Sequence, residues 1–307
     1  MKVLITGGCG FIGANLSRYL LEKGHVVKVF DNLSTGSEEN LRKATAGFEV
    51  HEVIKGDIRD KGEVEKAARN VGAVVHLAGH TNVVDSLESP EEDFQINAMG
   101  TLNVLEACRK NGVKNFVYAS SNAVVGEQSP PINEEKIPAP ISPYGASKLT
   151  GESLCSAYHH SFGVSTVSLR FSNAYGQYSS HKTSVVAKFI RRVKDGKSLI
   201  IYGDGNQTRD FIYAEDICEA IYLSMNGDCG GEVFQVATGV ETRVNDLARM
   251  VSDLAVSSGL ERPEIHHENP REGEIVKNFS DIGKIRRLLG FEPQITLREG
   301  LKKTWSK

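Results

Sequence analysis

The sequence predicts an α/β protein built on a doubly wound, mostly parallel sheet, with a smaller lobe formed by its C-terminal part. Three observations carry this reading. Short apolar runs alternate with helical patterns from residue 1 to about residue 170, as expected of βαβ units. A turn with glycine at Gly7, Gly10 and Gly13 joins the first apolar run to the first helical pattern. The chain of 307 residues, 40% hydrophobic and 24% charged, is long enough to bury one large core or two ordinary ones.

Taken in order, residues 3–5 are an apolar run that reads as a buried strand, and residues 11–22, opening with Phe11 and Ile12, carry helical periodicity. Residues 26–30 form a second strand ending at Asp31. Further strands are expected at residues 49–54, 73–77, 115–119 and 165–169, with helices at 60–69, 91–110 and 143–161 between them. Right-handed crossovers turn such a series into a sheet covered on both faces. Past residue 169 the pattern loosens into a loop rich in Ser, Asn, Tyr and Gly over residues 172–184. Helices at 185–194, 216–225 and 244–254 follow, with strands at 199–202 and 232–236, a polar stretch at 266–274, and short helices at 281–289 and 297–304. The expected domains are residues 1–170 and 171–307, interleaved, with return segments near 209–240 and a cleft between them.

Composition narrows the function. A formal net charge of -3 leaves no basic footprint, so nucleic acid is not an expected partner. The five cysteines, Cys9, Cys108, Cys155, Cys218 and Cys229, are widely spaced with no C-x-x-C pair. They read as reduced thiols, and no zinc site is expected. The chain starts directly on a strand without a charged leader, and no apolar stretch suits a bilayer. A cytoplasmic protein is the expectation.

In a doubly wound sheet, ligands collect beyond the carboxyl ends of the strands. Glycines between a strand and a helix let backbone N–H groups and the positive end of a helix dipole approach a pyrophosphate. The spacing here, G-x-x-G-x-x-G, has one residue more between the first pair than the usual dinucleotide fingerprint. Asp31 follows at the distance suited to a carboxylate that accepts the ribose hydroxyls, and it would repel a 2′-phosphate, so the expected dinucleotide is NAD. Gly56-Asp57-Ile58 follows the third strand, His76-Leu77-Ala78-Gly79 ends the fourth, and Ser120-Ser121-Asn122 ends the fifth. Each has an ordinary reading too: Asp57 as a helix cap, His76 as a satisfied core histidine, the serines as turn residues. Tyr144 and Lys148 lie four apart on a predicted helix, so phenol and ammonium share a face. An ammonium there favours the phenolate and suits a general base toward a sugar hydroxyl, whereas a solvated surface pair is the plainer alternative.

The set Gly7, Gly10, Gly13, Asp31-Asn32-Leu33-Ser34-Thr35-Gly36, Gly56-Asp57, His76 to Gly79, Ser120-Ser121 and Tyr144-x-x-x-Lys148 resembles the extended short-chain dehydrogenase/reductase family. Within it the chain resembles the NAD-dependent nucleotide-sugar 4-epimerases of the UDP-galactose/UDP-glucose 4-epimerase type. Asn173, the stretch Gly203 to Ile212, Tyr213-Ala214-Glu215-Asp216 and Arg271-Glu272-Gly273-Glu274 are similar to that family's substrate-lobe motifs, so the likeness covers nearly the whole chain. It implies a Rossmann-type fold and Ser121, Tyr144 and Lys148 as catalytic trio. For NAD it implies Gly7, Gly10, Phe11, Ile12, Gly13, Asp31, Asn32, Ser34, Thr35, Gly36, Asp57, Ile58, Leu77, Ala78, Gly79, Tyr144 and Lys148. For a UDP-sugar it implies Thr81, Ser121, Asn122, Asn173, Tyr202, Arg209, Arg271 and Asn278, with Tyr202 on the uracil and Asn173, Arg209 and Arg271 at the diphosphate. No metal is needed.

The implied reaction is transient oxidation at C4 and return of the hydrogen to the other face. Related dehydratases carry an Asp-Glu pair after the catalytic hydroxyl and decarboxylases a Glu. This chain has Asn122-Ala123, which favours epimerization. Two positions depart from the family pattern. Val125 stands where a Tyr is usual, and Asn278 stands where glucose/galactose-restricted members often carry a bulky Tyr. The second suggests room for UDP-N-acetylhexosamines. UDP-uronic acids stay open, because His181 and Lys182 lie in the substrate loop, although the Arg that uronate-specific members place near Ser180 is missing. A 4,6-dehydratase or decarboxylase and a non-catalytic dinucleotide-binding regulator are the other readings. The resemblance also implies a homodimer, with residues 91–110 and 143–161 pairing as a four-helix bundle.

Overall fold

The computed structural model of the protein describes residues 1–270 and 275–306. In chain order, β1 (Lys2–Thr6), α1 (Phe11–Glu22), β2 (Val26–Asp31), α2 (Glu38–Ala44), β3 (Glu52–Lys55), α3 (Lys61–Ala67) and β4 (Ala73–His76) come first. Then come α4 (Val83–Glu88), α5 (Pro90–Phe94), a π-helical turn (Gln95–Met99), α6 (Gly100–Asn111), β5 (Asn115–Ser121), a 3₁₀ turn (Asn122–Val124), α7 (Pro143–Phe162) and β6 (Ser165–Phe171). The remainder is β7 (Asn173–Tyr175), α8 (Val185–Lys194), β8 (Leu199–Tyr202), β9 (Thr208–Arg209), β10 (Phe211–Tyr213) and α9 (Ala214–Asn226). It closes with β11 (Val233–Val236), β12 (Thr242–Arg243), α10 (Val244–Ser257), β13 (Ile265–Glu268), α11 (Gly283–Leu289) and α12 (Leu297–Trp305).

Seven parallel strands form the main sheet in the order β11-β6-β5-β4-β1-β2-β3. This is the Rossmann-type doubly wound arrangement. In β1 the side chains alternate between faces: Val3 and Ile5 pack with Leu16 and Leu20 of α1 and Ile217 and Ile221 of α9, while Leu4 packs with Val74, Val104 and Phe116 on the other side. Both faces are buried, which is why the strands read as unbroken apolar runs. A separate cluster of Val186, Phe189, Leu199, Ile201, Leu247, Val251 and Leu301 joins α8, α10 and α12 to β8.

Several elements differ from the sequence reading. The single helix expected over residues 91–110 is three consecutive pieces, with the π-helical turn between α5 and α6. Strand β3 is shorter than residues 49–54, as suits an edge strand with little to bury. The polar stretch from residue 266 supplies most of β13, which pairs in parallel with β8; all four of its residues are exposed, so no apolar pattern announces it. Strand β11 lies beside β6 in the main sheet although it follows the loosely patterned region. Among the described residues, no helix is long and apolar enough to cross a membrane, and no cluster of His, Cys, Asp or Glu is placed to hold a metal. All five cysteines are buried free thiols.

Candidate active site

The strand order reverses between β1 and β4, so the loops after these strands border the crevice where a doubly wound sheet takes its ligand. Gly7, just past β1, has φ +70°, and a Cβ on it would lie 2.7 Å from the backbone nitrogen of Ala78. A Cβ on Gly13 would lie 2.2 Å from the Gly7 carbonyl oxygen. The turn therefore lies directly against the Leu77-Ala78-Gly79 segment and under the first turn of α1. Phe11 opens α1 with its side chain buried, so it offers a ligand its backbone; Ile12 is half-buried beside it.

Asp31 ends β2, and its carboxylate accepts hydrogen bonds from the Cys9 N–H at 2.9 Å and the Leu33 N–H at 2.8 Å. These two bonds aim the group beside the glycine turn and leave lone pairs for further donors. Burial, with Asp31 alongside, pushes the Cys9 thiol up to about 12. Gly36 packs against the Cys9 backbone, while Asn32, Ser34 and Thr35 are exposed on the loop between. The amide of Asn32 donates to Asp57, and Arg59 makes a two-pronged ion pair with Asp57 that holds this carboxyl well below the usual range. Ile58 belongs to the core, with only 5% of its surface exposed, so its backbone alone is left for a ligand. A glycine cradle closed to any Cβ, a helix N-terminus and an aimed carboxylate fit an adenine dinucleotide without a 2′-phosphate.

His76 is a core histidine. Its ring bridges the hydroxyls of Thr6 and Thr101, and burial pushes its pKa down to about 3. It stays neutral and takes no part in the crevice.

Helix α7 begins with Ser142 capping the Gly145 N–H and Pro143 at its first turn, which fixes where Tyr144 and Lys148 emerge. The Tyr144 N–H also donates to the Ser86 hydroxyl of α4. Burial raises the Tyr144 phenol above its ordinary value, and the nearby Ser121 hydroxyl, which favours the phenolate, offsets only part of this. Lys148 was expected to do the lowering. Its ammonium donates instead to the Ala119 carbonyl at 3.0 Å and lies over the Tyr118 ring, 5.2 Å from the centroid. Burial and the nearby Lys182 bring Lys148 down to about 8, against an opposing pull from Asp93. Ser121, Tyr144 and Lys148 are thus assembled beyond β5 in a dry setting.

Behind them is a group that the sequence reading passed over. Asp93 is fully buried and accepts from the Ser147 hydroxyl and the Asn97 amide, with His80 3.8 Å away. It follows Glu91 and Glu92 in the first turn of α5, where an acid is ordinary, so nothing in the sequence sets it apart.

The remaining candidates fall on several elements. Asn122, in the 3₁₀ turn, donates to the Ser280 hydroxyl at 2.9 Å. Asn173 opens β7, Tyr202 ends β8, and Arg209 lies in β9 with its guanidinium donating to the carbonyls of Thr208 and Ile275. The Asn278 side-chain oxygen is buried, with no hydrogen-bond partner among the described residues. Thr81 is met by the ammonium of Lys182. Arg271 lies outside the described residues. Val125 is buried in a small apolar cluster with Val124 and Ile132, so the missing Tyr is replaced by core packing.

The profile of the NAD dependent epimerase/dehydratase family matches residues 3–237. A putative UDP-glucose 4-epimerase of Methanocaldococcus jannaschii is 38% identical over 99% of this chain and 98% of its own length. A dTDP-glucose 4,6-dehydratase of Streptomyces niveus is 33% identical over 99% of this chain and 91% of its own. The crystal structure of Thermus thermophilus UDP-glucose 4-epimerase complexed with NAD superposes with a TM-score of 0.89 at 36% identity, covering 100% of this chain and 98% of that one.

Proposed function

The chain belongs to the NAD dependent epimerase/dehydratase family, and from that premise we propose that it inverts C4 of a UDP-sugar through a 4-keto intermediate. It is an enzyme with NAD as its cofactor, and what NAD supplies when bound is a reversible hydride acceptor at the sugar C4. Gly7, Gly10 and Gly13 with the first turn of α1 would hold the pyrophosphate, Asp31 the adenosine ribose, Asp57 and the Ile58 backbone the adenine, and Lys148 the nicotinamide ribose. The observation that carries the proposal is that Tyr144 and Lys148, one helical turn apart on α7, are both buried beside the end of β5 that carries Ser121, with the Lys148 ammonium donating to the Ala119 carbonyl of that strand at 3.0 Å.

Tyr144 takes the O4 proton and later returns it. The Ser121 hydroxyl would donate to the phenolate oxygen before the proton is taken and after it is returned, and Lys148 supplies a positive charge within a helical turn. The flat ketone turns about its diphosphate tether between the two proton transfers. Asn173, Arg209 and Arg271 would hold that tether and Tyr202 the uracil. Asn122 makes an amide hydrogen bond to Ser280 where dehydratases and decarboxylases present a carboxyl group, so the residue identities favour plain epimerization.

Asn278 widens the substrate range in this reading. Its oxygen, without a partner among the described residues, suits an acetamido N–H, so UDP-GlcNAc and UDP-GalNAc are expected substrates beside UDP-glucose and UDP-galactose. We also take the enzyme to be a homodimer in which α5 to α6 and α7 pair with their copies. Incubation with UDP-glucose, UDP-GlcNAc and UDP-glucuronate in turn, followed by NMR of the products, tests the reaction. A 4-keto-6-deoxy sugar or a pentose as product would assign a lyase instead, and no product from any of the three would point to the regulator reading.

A further inference from the structure

Asp93 carries a charge that the chain has buried among neutral partners. Its side chain, in the first turn of α5, has no exposed surface. One carboxylate oxygen accepts from the Ser147 hydroxyl at 2.5 Å and the other from the Asn97 amide at 3.1 Å. The same amide nitrogen reaches the Ser147 oxygen at 3.1 Å, so acid, hydroxyl and amide close into a triangle. The His80 ring stands off at 3.8 Å, with 33% of its side chain exposed. Bonds from one hydroxyl and one amide do not offset the cost of taking a carboxylate out of water, so an acid held this way calls for a cation nearby.

That cation is Lys148. Ser147, which binds Asp93, directly precedes it on α7. From the other side a Cβ on Gly79 would lie 2.6 Å from the Asn97 side-chain oxygen and 3.4 Å from the Lys148 ammonium, so glycine is what lets the loop after β4 pass over both. The ammonium is buried, and its own hydrogen bond goes to the uncharged Ala119 carbonyl. In such a setting a lysine tends to lose its proton. Burial pulls Lys148 that way, Lys182 adds to the pull, and Asp93 opposes it. The same carboxylate also adds to the burial that raises the Tyr144 phenol, so it favours the protonated form of both groups. Other charges nearby are spent or screened. Glu152 is paired with Arg170, Tyr118 beneath the ammonium is raised well above its ordinary value, and Asp85, Glu88, Glu91 and Glu92 on α4 and α5 are exposed to water.

We propose that Asp93 is a positioning residue of the active site: clamped by Ser147 and Asn97, it is the fixed negative charge that keeps Lys148 an ammonium in the dry crevice. This rests on the Tyr144 and Lys148 chemistry proposed above. NMR of the NAD-loaded enzyme carrying ε-¹³C-labelled lysine reads that charge without turnover, and the Lys148 signal is identified by its absence from Lys148→Met. In the wild type the signal should titrate above pH 7. In Asp93→Asn, which keeps the shape and removes the charge, the midpoint should fall by about one pH unit or more. Ser147→Ala loosens the clamp but leaves the charge, so there the midpoint should move less than half as far. Repeating each titration in His80→Gln takes the imidazole out of the comparison. The bell-shaped pH profile of kcat should slide as a whole to lower pH in Asp93→Asn, because phenol and ammonium both give up their protons more readily. A profile that loses height without moving, an unmoved Lys148 midpoint in Asp93→Asn, or an equal shift in Ser147→Ala overturns the proposal. A wild-type midpoint below pH 7 overturns it too, and that result does not depend on any variant folding. A midpoint that falls as expected in an enzyme that turns over no UDP-sugar would support the charge role and remove the epimerase reading.

Discussion

Tyr144 works against its own setting. Burial raises the phenol, and within the chain the Ser121 hydroxyl is what pulls it down. Tyr144→Phe should lower kcat by about 10²- to 10⁴-fold with little change in KM, as expected for loss of a general base; a variant that kept full turnover would remove Tyr144 from the reaction. In Ser121→Ala the phenolate loses its donor, so its pKa rises and the acid limb of the pH–rate profile should move to higher pH. His76 carries a stability prediction of its own. The unfolded chain protonates it near 6.5, whereas the fold pushes it to about 3. Between these values the unfolded state holds more protons, so stability falls as pH drops through that window, by at most about 1.4 kcal/mol per pH unit. Urea midpoints at pH 7 and pH 5 should therefore differ less in His76→Gln than in the wild type, and an equal difference would mean that other groups set the acid limit.

Helix α7 is held to the sheet by a buried ion pair one turn beyond Lys148. Arg170 of β6 grips both oxygens of Glu152 at 2.9 and 2.7 Å, and the Ser120 hydroxyl donates to the same carboxylate. The strand that ends in Ser121 and the helix that carries Tyr144 are thereby tied together behind the crevice. Glu152→Ala should cost about 3–5 kcal/mol, because it leaves a guanidinium buried without its partner, whereas Glu152→Leu with Arg170→Met should recover much of that loss. Chemical denaturation of the three proteins checks this, and a double variant no better than the single one would argue against it. Neither residue stands out in the sequence, since each occupies a position where the helix or strand pattern expects nothing special. What was legible followed from periodicity and spacing: strands with two buried faces read as apolar runs, and Gly7, Asp31, Tyr144 and Lys148 announce themselves by separation along the chain. The π-helical turn, the exposed strand β13 and the turn of the Lys148 ammonium toward Ala119 depend on tertiary partners that local patterns do not encode. The Lys182–Thr81 contact, 101 residues apart, was out of reach for the same reason.

Across the whole molecule, large apolar side chains remain uncovered on the helices expected to pair in a dimer. Phe94 is 46% exposed at the end of α5 and Phe162 is 53% exposed at the end of α7. The proposed homodimer predicts a dimer mass by light scattering that Phe94→Glu with Phe162→Glu reduces to a monomer mass; a monomeric wild type would overturn the homodimer, and a dimer mass unchanged in the variant would place its interface elsewhere. The path of the chain through the main sheet has a different consequence. Strand β6 ends at Phe171, yet its outer neighbour β11 begins only at Val233. While the protein is being made, β6 must wait for that partner to leave the ribosome. At synthesis rates of about 5–20 residues per second the delay lasts several seconds. During it β6 is the sheet's open edge, a template for strands of neighbouring nascent chains. An interior strand of the finished fold thus passes through an interval of exposure during translation that the finished fold does not show.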